Sequence, residues 1–193
     1  DYEALYFDLK DHDLRLHFRP LDFIQVNAAL NEAMISRALS LLNPQPEDII
    51  LDLFCGLGNF TLPLAQVTGK VVGVEGEEGL VARARENAVL NGIKNVEFYA
   101  ADLTQDDRAQ VWRTKQYSKM LLDPPRAGAI EILRTMNLDR IKTIVYVSCH
   151  PASLARDAGY LTQECGYRLS EAGAMDMFPQ TAHVEAIAVF EKV

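Results

Sequence analysis

Five short runs of apolar residues dominate the chain from residue 49 onward: IILDLF (49–54), VVGVE (71–75), VEFYA (96–100), KMLLD (119–123) and TIVYVS (143–148). Each is apolar throughout rather than alternating, the mark of a strand buried on both faces. Helical stretches near 60–66, 77–91, 127–136 and 152–164 lie between and after them. This repetition predicts an α/β fold, a mostly parallel sheet with helices on both faces. YRLSEAGAM and VEAIAVFEK add two strands, for a seven-stranded sheet. Ligands of such sheets bind beyond the carboxyl ends of the strands. Asp52, Glu75, Asp102, Asp123 and Cys149 all fall there.

Ahead of the sheet, residues 4–18 alternate around the polar turn KDHD and read as a short N-terminal β-hairpin. A helix from about Ala28 to Leu42 follows, then the loop NPQPED. The 193 residues favour one domain with a short appendage. The three cysteines, at 55, 149 and 165, have no metal-ligand spacing, and their odd number argues against a disulfide framework. A reducing, cytoplasmic setting is therefore expected. No run of about 18 apolar residues is present, so no membrane partner is expected. The net charge of −8 does not by itself favour a nucleic-acid partner. It does not exclude one, because a local basic patch or another domain could supply phosphate contacts.

LDLFCGLGNF follows the first sheet strand and opens a helix. Gly56 and Gly58 allow a tight turn and close approach of backbone to ligand. Thr61 stands where a dinucleotide fingerprint needs a third glycine, which disfavours NAD. Glu75, ending the second strand, can accept both hydroxyls of a ribose, and Asp102, after the third, an adenine amino group. Together they point to a cofactor with ribose and adenine. Asn91-Gly92 is a C-cap signal for the helix before the third strand.

These features resemble the class I S-adenosylmethionine-dependent methyltransferases over about residues 48–193, and so imply their Rossmann-like fold. DPPRAG (123–128), SCHP (148–151) and FPQTAHVEAIAVF (178–190) narrow the likeness to the RNA uracil carbon-5 methyltransferases. Within them the chain is most similar to the bacterial enzymes acting on large-subunit ribosomal RNA. The resemblance implies Cys149 as nucleophile at uracil carbon 6 and Glu185 as the base that removes the carbon-5 proton. It implies Gln25, Phe54, Gly56, Gly58, Asn59, Glu75, Asp102 and Asp123 as residues of the S-adenosylmethionine site, and RNA, chiefly ribosomal, as partner of a monomer. It also implies residues 1–22 as the tail of a preceding domain and 23–193 as the catalytic domain. Many members carry a cysteine-ligated iron–sulfur cluster in an N-terminal region, and no such cysteine set occurs in this chain.

Two physical expectations accompany these roles. Pro151 suits the first position of a helix, which places Cys149 beside a helix N-terminus whose dipole favours a thiolate. Glu185 shares a strand face with Ile187 and Val189, so burial should raise its pKa and make it a better base. His150 stands where the family usually has asparagine, which puts the local cap geometry in doubt. Cys55 reads as a small packing residue, His183 as a positioning residue, and Cys165 has no assigned role. Two other readings share these motifs: the same chemistry on transfer RNA, and a non-catalytic module that binds S-adenosylmethionine or RNA.

Overall fold

The computed structural model describes residues 5–176 and 184–193. Strands β1 (Leu5–Leu9) and β2 (Leu14–Phe18) form the N-terminal hairpin, joined by one turn of 3₁₀ helix. Helix α1 (Ala28–Leu42) follows, capped by the side chain of Asn27. The alternating part runs β3 (Ile49–Leu53), α2 (Thr61–Ala65), β4 (Lys70–Glu75), α3 (Glu78–Leu90), β5 (Val96–Ala100), β6 (Lys119–Leu122), α4 (Ile130–Thr135), β7 (Thr143–Ser148) and α5 (Pro151–Gln163). It ends with β8 (Tyr167–Met175) and β9 (Glu185–Lys192).

The seven-stranded sheet has the order β5-β4-β3-β6-β7-β9-β8. Strands β3 to β7 are parallel, and β9 runs antiparallel between β7 and β8. Residues next to each other in a strand enter opposite cores. Ile50, Val71, Leu121, Val145 and Ile187 pack with α1, α3 and the hairpin. Their neighbours Leu51, Val72, Met120, Ile144 and Ala188 pack with α4 and α5. Two apolar faces on the central strands explain why their runs read as continuous rather than alternating.

The hairpin joins the first of these cores through Leu9, Leu14 and Leu16. Asn87 of α3 and its C-cap residue Asn91 hold the free edge of β2 as a neighbouring strand would. Asn87 accepts from His17 N at 2.8 Å and donates to His17 O at 3.1 Å, and Asn91 does the same for Arg15 at 2.9 and 2.7 Å. Asn91 also caps α3, and Gly92 after it takes a φ of 67°. The helix expected from residue 127 begins only at Ile130, because Gly128 turns the chain with a φ of 83°. Among the described residues no helix is long and apolar enough to cross a membrane.

Candidate active site

The sheet reverses its winding at β3, whose neighbours are β4 and β6, and a ligand crevice forms at such a switch point. A cavity of about 740 Å³ lies there. Gln25, Phe54, Gly56, Asn59, Glu75, Asp102, Asp123, Cys149 and Glu185 all line it. Gly58 does not: its φ of 101° serves the turn, and a side chain there would press on Leu62 at 3.1 Å.

The glycine loop is held from below and from both sides. Asp52, fully buried at the end of β3, accepts from Thr61, so the residue that replaces a third glycine anchors the loop to the strand. Burial and then the charge of Glu75 push the Asp52 carboxyl up to about 7. Cys55 is buried beneath the loop, 2.9 Å from where a side chain on Gly73 would begin, a packing role. Asn59 and Asn31 of α1 exchange two amide hydrogen bonds of 2.9 Å. Asn31 gave no signal in the sequence, where a polar residue inside a helix reads as solvent-facing.

Two carboxylates at strand ends are fixed by backbone amides. Glu75 accepts from Gly56 N at 3.1 Å, Gly76 N at 2.7 Å and Glu77 N at 3.2 Å. Asp102 accepts from the hydroxyl of Thr104 at 2.7 Å and its amide at 2.9 Å, which lowers its pKa. Both are therefore hydrogen-bond acceptors in set positions. The segment carrying Phe23, Ile24 and Gln25 is pinned by a buried ion pair between Asp22 and Arg83 of α3. Gln25 Oε1 is buried with no hydrogen-bond partner among the described residues, an acceptor unsatisfied by the protein. An apolar cavity holding an open acceptor, a fixed carboxylate for paired hydroxyls and a glycine turn fits an adenosyl sulfonium cofactor.

Cys149 and Glu185 meet because β9 is reversed. A parallel strand brings only its last residue to the carboxyl edge of the sheet, whereas an antiparallel one brings its first. The last registered pair of β7 and β9 is Ser148 with Ala186. Cys149 and Glu185 are the next residues along from that pair, and both line the cavity. Glu185 is 4% exposed, and burial raises its pKa, in line with its place beside Ile187 and Val189. Asp123 is pushed up to about 8 by burial, then by Glu185, Asp52 and Glu75.

Cys149 departs from its sequence-based expectation. It does precede α5, with His150 as N-cap and Pro151 in the first turn. His150 Nδ1 accepts from Ser153 N at 3.3 Å, so histidine does the work of the usual asparagine. Yet burial, then the charges of Glu185 and Asp123, raise the thiol pKa, with Arg126 opposing weakly. Desolvation and two nearby carboxyls act against the thiolate that the helix N-terminus favours. His183 lies outside the described residues, and Cys165 lies outside the cavity lining. Among the described residues no group of three or more His, Cys, Asp or Glu could hold a metal ion.

The fold is that of the class I methyltransferases. M. jannaschii TYW2 in complex with AdoMet shares the fold, with a TM-score of 0.68 over 98% of this chain and 87% of that one at 18% identity. The tRNA (uracil-5-)-methyltransferase family model matches residues 1–193, and the chain belongs to that family. The chain is 65% identical to the 23S rRNA (uracil(1939)-C(5))-methyltransferase RlmD of Xanthomonas campestris pv. campestris (strain 8004) over 188 residues, 97% of this chain and 42% of the relative. The Pyrococcus abyssi tRNA (uracil-54, C5)-methyltransferase, solved with S-adenosyl-L-homocysteine, is 30% identical with a TM-score of 0.81, covering 97% of this chain and 44% of that one. The chain thus spans less than half the length of the curated relatives it matches.

Proposed function

We propose that this chain is the catalytic part of a cytoplasmic, S-adenosylmethionine-dependent RNA uracil carbon-5 methyltransferase whose substrate is large-subunit ribosomal RNA. The observation that carries the proposal is the meeting of Cys149 and Glu185 at adjacent strand ends inside one cavity. Ribosomal RNA is favoured over transfer RNA by the 65% identity to an enzyme named for 23S rRNA, against 30% to one named for tRNA. In this reading residues 1–22 lead from a preceding domain and residues 23–193 form the catalytic unit. RNA contacts outside this acidic chain then fall to that domain.

Gln25, Phe54, Gly56, Asn59, Glu75, Asp102 and Asp123 hold the cofactor in this reading, with Gly58 shaping the turn. The bound cofactor supplies an electrophilic methyl group. Carbon 5 of uracil is a weak nucleophile until the Cys149 thiolate adds to carbon 6. The new S–C bond moves the carbon 5–carbon 6 electron pair toward oxygen 4, which makes carbon 5 an enolate carbon. Once carbon 5 is methylated, the Glu185 carboxylate takes its proton. The electron pair left behind re-forms the double bond and expels the Cys149 thiolate. Burial of Glu185 raises its affinity for that proton, which suits a base working near neutral pH. The target uridine must leave its stack to reach Cys149, as with other enzymes acting on bases.

The test uses RNA carrying 5-fluorouridine at the target, where carbon 5 bears fluorine in place of the proton that Glu185 removes. Wild-type protein should form an RNA adduct that survives a denaturing gel, and Cys149→Ala should form none. An adduct in Cys149→Ala would return that cysteine to a packing role.

A further inference from the structure

Asp157 is fully buried on α5, outside the cavity lining, and nothing in the reaction above uses it. Its Oδ2 accepts from Ala129 N at 2.7 Å and from the Tyr146 hydroxyl at 2.7 Å. Its Oδ1 accepts from Arg156 Nε at 2.8 Å, and Arg156 Nη2 also donates to Ala127 O at 2.7 Å. One carboxylate thus gathers the loop after Asp123, strand β7 and helix α5. Helix α4 starts without a side-chain cap of its own, so Asp157 satisfies the amide of its N-cap residue from another element. The approach is close enough to require glycine: a Cβ on Gly128 would lie 2.6 Å from Arg156 Nη2 and 2.7 Å from Asp157 Oδ2. The clamped loop carries Asp123, Pro124, Pro125 and Arg126, a wall of the cavity. The clamping helix begins two residues after Cys149.

We propose that Asp157, with Tyr146 and Arg156, is a positioning clamp that fixes the Asp123–Ala129 loop relative to Cys149, and so sets the distance between the nucleophile and the opposite wall of the base pocket. This rests on the reading of Cys149 as nucleophile. Asp157 touches no reacting atom and acts through Ala129 N and the start of α5. A small displacement between nucleophile and pocket wall is costly because covalent attack depends steeply on alignment. Of the residues assigned to the cofactor only Asp123 lies on the clamped loop; Gln25, the glycine loop, Glu75 and Asp102 lie outside it. The clamp therefore bears on the rate of attack more than on cofactor affinity.

Tyr146→Phe and Asp157→Asn test this in the protein with 5-fluorouridine RNA. Tyr146→Phe removes one hydroxyl from a buried site and keeps the ring, so it reads the clamp even where Asp157→Asn lowers the yield of folded protein. The expected result is adduct formation slowed by about tenfold or more, with RNA KM and cofactor affinity within about twofold of wild type. Amide hydrogen exchange gives a readout independent of the reaction: Gly128 and Ala129 should exchange faster in both variants, while amides of β4 keep their protection. Unchanged adduct rates in both variants overturn the clamp. So does a loss of cofactor affinity in step with the rate, which means general destabilisation. A wild-type protein that forms no adduct refutes the Cys149 reading instead. In that case the exchange data decide, and unchanged protection at Ala129 overturns the clamp.

Discussion

Replacing Asp123 by asparagine should make the fold more stable, and increasingly so as pH rises. The folded protein holds this carboxyl at a pKa of about 8, through burial first and the charges of Glu185, Asp52 and Glu75 second. The unfolded chain releases the same proton near pH ~4. The folded state therefore binds the extra proton between these values, and its stability falls as pH rises through them. Below pH ~4 both states are protonated and nothing is lost; above pH ~8 both are ionised and the loss is constant. Each pH unit within the window is worth about 1.4 kcal/mol, which for Asp123 alone comes to about 4 kcal/mol at pH ~7. Asp52 and Glu185 are also raised and share the same desolvated space, so the three titrate as a set and part of the slope stays in the variant. The expected gain of Asp123→Asn is then about 2–3 kcal/mol at pH ~7, shrinking toward zero at pH ~4. Chemical denaturation of both proteins across that range measures it. A difference that does not change with pH, or a variant less stable than wild type at pH ~7, refutes the reasoning. Methylation should fall in the same variant, because the stability gained is stability that the site gives up to hold an acidic group.

Other outcomes follow from the same cavity. Glu185→Gln keeps the side chain's size and loses the base, so attack and methylation proceed while elimination stalls. Turnover should drop by about 10²–10⁴ with covalent enzyme–RNA accumulating on a denaturing gel, and normal turnover without adduct would move the base elsewhere. Glu75→Ala should weaken S-adenosylmethionine binding by about 10–150-fold through loss of charge-assisted hydrogen bonds. Calorimetry reads this, and equal affinity in the two proteins would remove Glu75 from the ribose site. Alkylation of Cys149 in the cofactor-free protein should rise with pH about a midpoint above the free-thiol value of ~8.5, since the reactive thiolate forms only above the raised pKa. In Glu185→Gln that midpoint should fall; a midpoint below ~8.5 in wild type would show the helix dipole outweighing burial after all.

The strands, the helices and the ligand-binding edge were legible in the residues themselves. A run such as IILDLF is apolar throughout because β3 buries Ile50 on one face and Leu51 on the other, and that demand is written locally. Asn91 with Gly92, and Pro151, likewise mark helix ends within a turn of where they act. What depends on pairing between distant segments was not written in any local pattern. Asn31 and Asn87 are ordinary polar helix residues until Asn59 and the edge of β2 are placed against them. Asp157 stands out in no local pattern, and only the approach of Gly128 and Tyr146 makes it a buried hub. Cys149 looked activated by its helix, because the dipole is a local property. Burial and carboxyls from two other strand ends also act on its thiol, and they raise its pKa. Sequence period records how deeply a residue is buried, but not which residue it is buried against. Strand direction and register supply that second fact, and they alone bring Glu185 to Cys149.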